Sequence, residues 1–206
     1  MVRQIAVSAI GLFALIAFSA GQPVLAQSDE LISELQKGGY VLFMRHPGTN
    51  PDQADTDPLN LDNTKAQRQL SEEGRRQAKA VGQAFRDLKI PVDKVIASKF
   101  QRAYDAAKLL DVAEVVTSID VTEGGLVVSP RENQRRAQAL RQLLSTPPPA
   151  GNNRVIVSHK PNLQDAAGKD FGDLGEGEVV IFKPLANNQF KSIARVPPDK
   201  WSQFVK

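Results

Sequence analysis

Tyr40-Val41-Leu42-Phe43-Met44-Arg45-His46 is an apolar run that ends on an arginine and one of only two histidines in a chain of 206 residues. A continuous apolar run of this length fits a strand buried on both faces, as in a parallel sheet covered by helices. Val155-Ile156-Val157-Ser158-His159 repeats the pattern around the second histidine. In open α/β sheets, ligands bind beyond the carboxyl ends of the strands. Two separate strands therefore deliver one imidazole each to the edge where such folds place their sites. Imidazole titrates near neutrality, which suits both residues to chemistry.

The surrounding elements agree with that fold. Ser28 is placed to cap a short helix carrying Leu31, Ile32 and Leu35, which Gly38-Gly39 ends. Ser71-Glu72-Glu73 opens a second helix, its acidic residues at the favourable positive pole. Ala78, Val81, Ala84, Phe85 and Leu88 recur along it at helical spacing until Pro91. Strands are predicted over 94–98, 115–119 and 154–158, and helices over 101–110 and 132–144. Val179 to Phe182 and Phe190 to Arg195 read as an antiparallel hairpin around Asn187-Asn188. The expected architecture is a three-layer α/β/α sandwich, with a mostly parallel central sheet and an antiparallel edge near the C-terminus.

Residues 1–26 stand apart from this pattern. Arg3 precedes an apolar stretch from Ile5 to Ala20; Gly21-Gln22-Pro23 and Val24-Leu25-Ala26 follow. This order predicts a secretory signal peptide cut after Ala26, and hence a periplasmic or secreted protein. The alternative, an uncleaved anchor, needs about 20 apolar residues, more than this stretch supplies. Residues 27–206 then form a single domain of about 180 residues, enough for a sizeable core. There is no cysteine, which excludes disulfides, thiol nucleophiles and thiolate metal sites. The formal charge of +3 is spread over a mixed surface with 6% aromatic residues, a composition that argues against nucleic-acid binding. Oligomeric state is open.

The chemistry concentrates at three strand-to-helix junctions. Arg45 beside His46 opposes protonation of the imidazole, and a neutral imidazole is a nucleophile. Guanidinium also grips phosphate bidentately. Arg102, in Ser98-Lys99-Phe100-Gln101-Arg102-Ala103, falls in a first helical turn, where a cation is unfavourable unless an anion binds there. In His159-Lys160-Pro161-Asn162-Leu163, Pro161 suits the first helical position, so His159 faces the same pole. Each junction alone has a bland reading, as core histidine or solvated arginine; together they describe a phosphate pocket. The long polar stretch from Pro47 to Leu70 leaves directly from His46 and reads as a flap over that pocket.

With these residues in place, the sequence resembles the histidine phosphatase superfamily, also called phosphoglycerate mutase-like, branch 1. The resemblance rests on Met44-Arg45-His46-Pro47-Gly48-Thr49, Leu70-Ser71-Glu72-Glu73-Gly74, Ile96-Ala97-Ser98 with Gln101-Arg102-Ala103, and Val157-Ser158-His159-Lys160-Pro161-Asn162-Leu163. It runs from about Gly39 to Leu163, and Gly175-Glu176-Gly177-Glu178 is similar to secreted bacterial members. The resemblance implies that His46 is the phosphorylated nucleophile and that Arg45, Arg102 and His159 form the phosphate pocket. It further implies that Glu123, after the third strand, protonates the leaving oxygen. No metal or other cofactor is implied, and the expected partner is a small phosphorylated substrate. Thr49 is a possible phosphate contact, and Arg68 a minor one from the flap. Pro47 departs from the usual glycine or alanine and removes a backbone N–H beside the pocket.

The expected function is an exported phosphatase acting through phosphohistidine. One alternative is a catalytically weak member that binds a phosphorylated ligand in the cell envelope. A two-histidine metal site is the other, but His46 and His159 lack a convincing third ligand.

Overall fold

Strand β1 (Val41–Arg45) sends alternate side chains into two separate cores. In the computed structural model, which describes residues 24–124 and 127–205, Leu42 and Met44 enter one core while Val41 and Phe43 enter the other. All four are at most 1% exposed. Burial of each such side chain contributes roughly 1.5–3 kcal/mol, so this strand is fixed on both faces.

The chain order is α1 (Val24–Lys37), β1, α2 (Glu72–Asp87), β2 (Val92–Ser98), α3 (Gln101–Leu110), β3 (Val115–Ser118), α4 (Pro130–Ser145), β4 (Asn153–Ser158), α5 (Lys160–Ala167), β5 (Val179–Leu185), β6 (Gln189–Val196) and α6 (Trp201–Phe204). The sheet runs β3-β2-β4-β1-β5-β6. The pairs β2/β3, β2/β4 and β1/β4 are parallel; β1/β5 and β5/β6 are antiparallel. One face is covered by residues of α1, α2, α3 and α6, from Leu35, Phe85 and Leu110 to Trp201. The other face is covered by α4 and α5 through Leu140, Leu144 and Leu163. This is the expected three-layer sandwich with its antiparallel edge.

The differences are at element ends. The first helix begins at Val24, upstream of the Ser28 cap read from the sequence, and its end is marked by Gly38 at φ 80°. The fourth begins at Pro130 because Ser129 caps it, its Oγ accepting from Glu132 N. The third strand stops at Ser118, where a 3-10 turn takes over. The hairpin turns on Asn187 and Asn188, both left-handed (φ 59° and 54°), the geometry of a type I′ turn. The predicted signal peptide falls almost wholly on residues 1–23, outside the described residues. No described helix is long and apolar enough to cross a membrane.

Because β4 lies between β1 and β2, the carboxyl ends of these three strands are neighbours: Arg45, Ser98 and Ser158. The residues that follow them meet above one sheet edge.

Candidate active site

His46 continues the line of β1, its backbone N–H donating to Ser158 O at 2.9 Å. The ring is fixed by its own neighbour, since Nδ1 lies 2.8 Å from the carbonyl oxygen of Pro47. A carbonyl can only accept, so Nδ1 carries the proton and Nε2 keeps its lone pair. Burial, reinforced by the charge of Arg102, pushes the His46 pKa down to about 3. The imidazole is therefore neutral over the working range and presents an unprotonated Nε2. Pro47 deprives this region of a backbone N–H, as expected, but contributes the acceptor that selects the tautomer.

His159 is the residue before α5 and is 1% exposed. Its ring centroid lies 5.2 Å from that of His46. Its Nε2 is 2.7 Å from Ser98 Oγ, which also accepts from Phe100 N at 3.1 Å. The serine hydroxyl has one proton to give and two lone pairs, so it pairs with either tautomer of His159. The buried Nδ1 of His159 has no hydrogen-bond partner among the described residues. It sits 3.4 Å from Glu123 Oε1. Burial, then His46 and Arg102, hold the His159 pKa well below its ordinary value. The helix before which it stands starts at Lys160, so Pro161 is its second residue rather than its first.

Arg102 stands in the first turn of α3 and is fully buried. Its Nη1 contacts both carboxylate oxygens of Asp55, at 3.1 and 3.2 Å, and its Nη2 donates to Glu123 Oε1 at 2.5 Å. The guanidinium carbon lies 4.3 Å from the centre of the Phe100 ring, a cation–π contact. Its Nε is buried without a hydrogen-bond partner among the described residues. The unfavourable position at a helix N-terminus is thus offset by two carboxylates and an aromatic face.

Glu123 reaches the pocket because the preceding loop is tied down. Thr122 Oγ1 donates to Ser118 O and accepts from Lys99 N, both at 2.8 Å, while Arg136 Nη1 donates to Thr122 O at 3.0 Å. Ser158 Oγ holds Val121 O at 2.6 Å. The carboxyl of Glu123 is 22% exposed and touches both Arg102 and His159.

The flap from Pro47 to Leu70 is anchored to the same machinery. Asp55 Oδ1 accepts from Arg68 N at 3.0 Å as well as from Arg102. Gln67 Oε1 accepts from Gln101 N at 2.7 Å, at the start of α3. Arg68 comes close enough for its charge to depress both imidazoles.

Among the residues singled out from sequence, His46, His159, Arg102 and Glu123 are brought together. Arg45 lies at the margin: its Nη1 donates to Leu174 O at 2.7 Å and its Nη2 to Glu176 Oε1 at 3.0 Å, while its charge still acts on His46. Thr49 pairs through its backbone with Leu70, and its hydroxyl bonds to none of the four. Sequence reasoning missed Asp55, one aspartate among several in a polar loop. Its only early signal was that a buried arginine needs a partner. No described group of three or more His, Asp or Glu is placed to hold a metal ion.

Residues 41–124 match the family model of the histidine phosphatase superfamily, branch 1. No curated protein matches the sequence. Solved structures show the same fold at low identity. The protein histidine phosphatase SixA, in complex with tungstate, aligns with a TM-score of 0.53 and 18% identity over 78% of this chain and 98% of its own. Phosphoserine phosphatase from Entamoeba histolytica aligns with a TM-score of 0.55 and 16% identity over 77% and 97%. A mycobacterial glucosyl-3-phosphoglycerate phosphatase aligns with a TM-score of 0.54 and 14% identity over 76% and 98%. The matched segment carries His46, Arg102 and Glu123, and over it the chain is similar to the histidine phosphatase superfamily, branch 1.

Proposed function

We propose that this chain is an exported, metal-independent phosphatase that hydrolyses phosphomonoesters, or a related phosphoryl group, through a covalent phosphohistidine on His46. One observation carries the reading: Nδ1 of His46 is committed to the Pro47 carbonyl, so Nε2 is a free, unprotonated nucleophile beside Arg102 and His159. Nε2 attacks phosphorus, the bond to the leaving oxygen breaks, and Glu123 protonates that oxygen. Water then attacks the phosphohistidine in line, Glu123 takes its proton, and the P–N bond breaks to release phosphate. Arg102, the imidazole of His159 and the nearby charges of Arg45 and Arg68 offset charge on the transferring group. Such transfer consists mostly of positioning and charge neutralisation.

The structural neighbours named for phosphoserine and glucosyl-3-phosphoglycerate support a small phosphorylated substrate. Export rests on the sequence of residues 1–26. The purified protein should turn over p-nitrophenyl phosphate with and without EDTA, and His46→Ala should abolish turnover. Rapid quench into alkaline detergent with labelled substrate should show an acid-labile, base-stable phosphoenzyme in wild type only. N-terminal sequencing of protein recovered from the periplasm or medium tests cleavage after Ala26.

A second reading, a phospho-ligand-binding protein of the envelope with weak catalysis, is favoured by one contact set. Arg102 already holds two carboxylates, which compete with phosphate for its donors. Phosphate binding without turnover of any ester would favour it.

A further inference from the structure

Arg45 is held by the loop that precedes β5. Its Nη1 donates to Leu174 O at 2.7 Å and its Nη2 to Glu176 Oε1 at 3.0 Å. Its backbone N–H donates to Glu178 O at 3.1 Å, and the N–H of Gly177 donates to His46 O at 3.4 Å. Glu176 also lies against the loop that follows His46, since a Cβ on Gly48 would fall 3.2 Å from its Oε2. The guanidinium of Arg45 nevertheless acts on both imidazoles: its charge lowers the pKa of His46 and of His159.

The two glutamates of this loop have different tasks. Glu178 is 8% exposed and builds the loop. It accepts from Gly175 N at 2.7 Å and from Arg195 Nε and Nη2 at 2.7 and 3.0 Å. Glu176 stands between Gly175 and Gly177, and its side chain is 43% exposed. Among the described residues, Arg45 is the only partner of its carboxylate. The loop is thus held in place without it. Three carboxylates occupy the guanidinium groups around the pocket: Asp55 and Glu123 on Arg102, at 21% and 22% exposure, and Glu176 on Arg45. A released carboxylate is rehydrated most readily where it is most exposed, so Glu176 is the one that a competing anion displaces at least cost.

A phosphoryl dianion carries more charge than a carboxylate and accepts from guanidinium at least as well. Leu174 O is a neutral acceptor, so Nη1 stays on it while Nη2 changes partner. We infer that Glu176 is a positioning residue: it holds the Arg45 guanidinium at the edge of the pocket and yields it to the phosphoryl group. Capture and release of phosphate then exchange one anionic partner of Arg45 for another. The inference rests on the phosphate pocket of the reading above, and adds the residue that limits how tightly phosphate is held. Such competition lowers the affinity for phosphate and speeds its departure, a step that sets kcat in many enzymes.

Glu176→Gln removes the charge and keeps a side-chain acceptor for Nη2, so the fold should be retained. Calorimetric titration with inorganic phosphate should give an affinity about two- to fivefold higher than wild type, the worth of a part-exposed ion pair. In an Arg45→Ala background the same substitution should move the affinity by much less. A crystal structure with vanadate in the pocket should show Arg45 Nη2 on a vanadate oxygen and off Glu176. Unchanged or weaker phosphate binding in Glu176→Gln overturns the proposal. So does an equal gain in the Arg45→Ala background, which would make Glu176 a remote charge. So does an Arg45–Glu176 bond that survives vanadate. These failures leave the phosphatase reading intact if p-nitrophenyl phosphate shows His46-dependent turnover. Absence of that turnover, with the exchange at Arg45 as expected, overturns the phosphatase reading alone.

Discussion

His46 Nδ1 and the Pro47 carbonyl oxygen lie 2.8 Å apart, so the residue that follows His46 also sets its tautomer. The acceptor is a main-chain atom, and any residue at 47 would provide one. What proline adds is a fixed φ, which holds that carbonyl without further restraint. Pro47→Gly should therefore keep kcat/KM within about tenfold and lower stability by about 0.4–1 kcal/mol, through the greater freedom of the unfolded chain. Thermal unfolding and p-nitrophenyl phosphate kinetics on the same preparation check both parts. A loss of activity as large as that of His46→Ala would mean that the ring depends on the pyrrolidine itself.

The depressed pKa values make stability fall in acid. His46 moves from an ordinary value of 6.5 to about 3 on folding, chiefly through burial. Between those values the unfolded chain binds more protons than the folded one, so stability rises with pH across the window and is lost as pH falls through it. His159 shifts in the same direction. The combined effect should reach a few kcal/mol near pH 3. Urea melts from pH 7 to pH 3 should show this slope, and it should be shallower in His46→Gln. Activity, once divided by the substrate's own phosphate ionisation, should show no acid limb near pH 6.

Glu123 should matter in proportion to how poor the leaving group is. A proton donor contributes about 10²–10⁴ when the departing oxygen is strongly basic and little when it is a nitrophenolate. Glu123→Gln should lower kcat/KM for an alkyl phosphate by at least about 10² and for p-nitrophenyl phosphate by far less. Equal losses on both would show that Glu123 acts through its contact with Arg102 rather than as an acid.

Much of this site was legible in the chain. Arg45-His46, Arg102 and His159 each end an apolar strand or open a helix, and those are local patterns with a fixed geometric consequence. The fold followed from the same runs, because alternate residues of β1 feed two cores. Asp55 was not legible. It sits in a loop without periodicity, and its contact with Arg102 spans 47 positions. Nor was the turning of Arg45 toward Leu174 and Glu176. Pairings of this kind depend on how a long connection returns, which no local pattern encodes.

The flap's anchor gives a direct measure of that unreadable contact. Asp55 joins Arg102 to the backbone of Arg68, so Asp55→Ala removes a charge-assisted tie from a buried guanidinium. Limited proteolysis should then cut within 47–70 first, while the remainder stays folded. KM should rise more than kcat falls, because Arg68 is no longer carried to the pocket. An unchanged cleavage pattern would show that Gln67, bonded to Leu61 O and Gln101 N, holds the flap alone.

Gly74 explains why the Ser71-Glu72-Glu73-Gly74 turn belongs to the site. A Cβ at Gly74 would lie 2.1 Å from Gly48 O, and Ser71 donates to that same carbonyl from N at 3.0 Å and Oγ at 3.2 Å. The first turn of α2 thus props the loop that carries Pro47, and Pro47 in turn holds His46. Gly82, further along α2, is just as tight: its Cβ would lie 1.9 Å from Leu110 O, on α3 and away from both imidazoles. Gly74→Ala and Gly82→Ala should therefore each cost about 1–3 kcal/mol through overpacking. Only Gly74→Ala should also lower kcat per folded molecule, because the displaced Gly48 shifts the Pro47 carbonyl away from Nδ1. Kinetics normalised to the folded fraction separates the two. Equal kcat in both variants would show that the helix turn stabilises the fold without positioning the nucleophile.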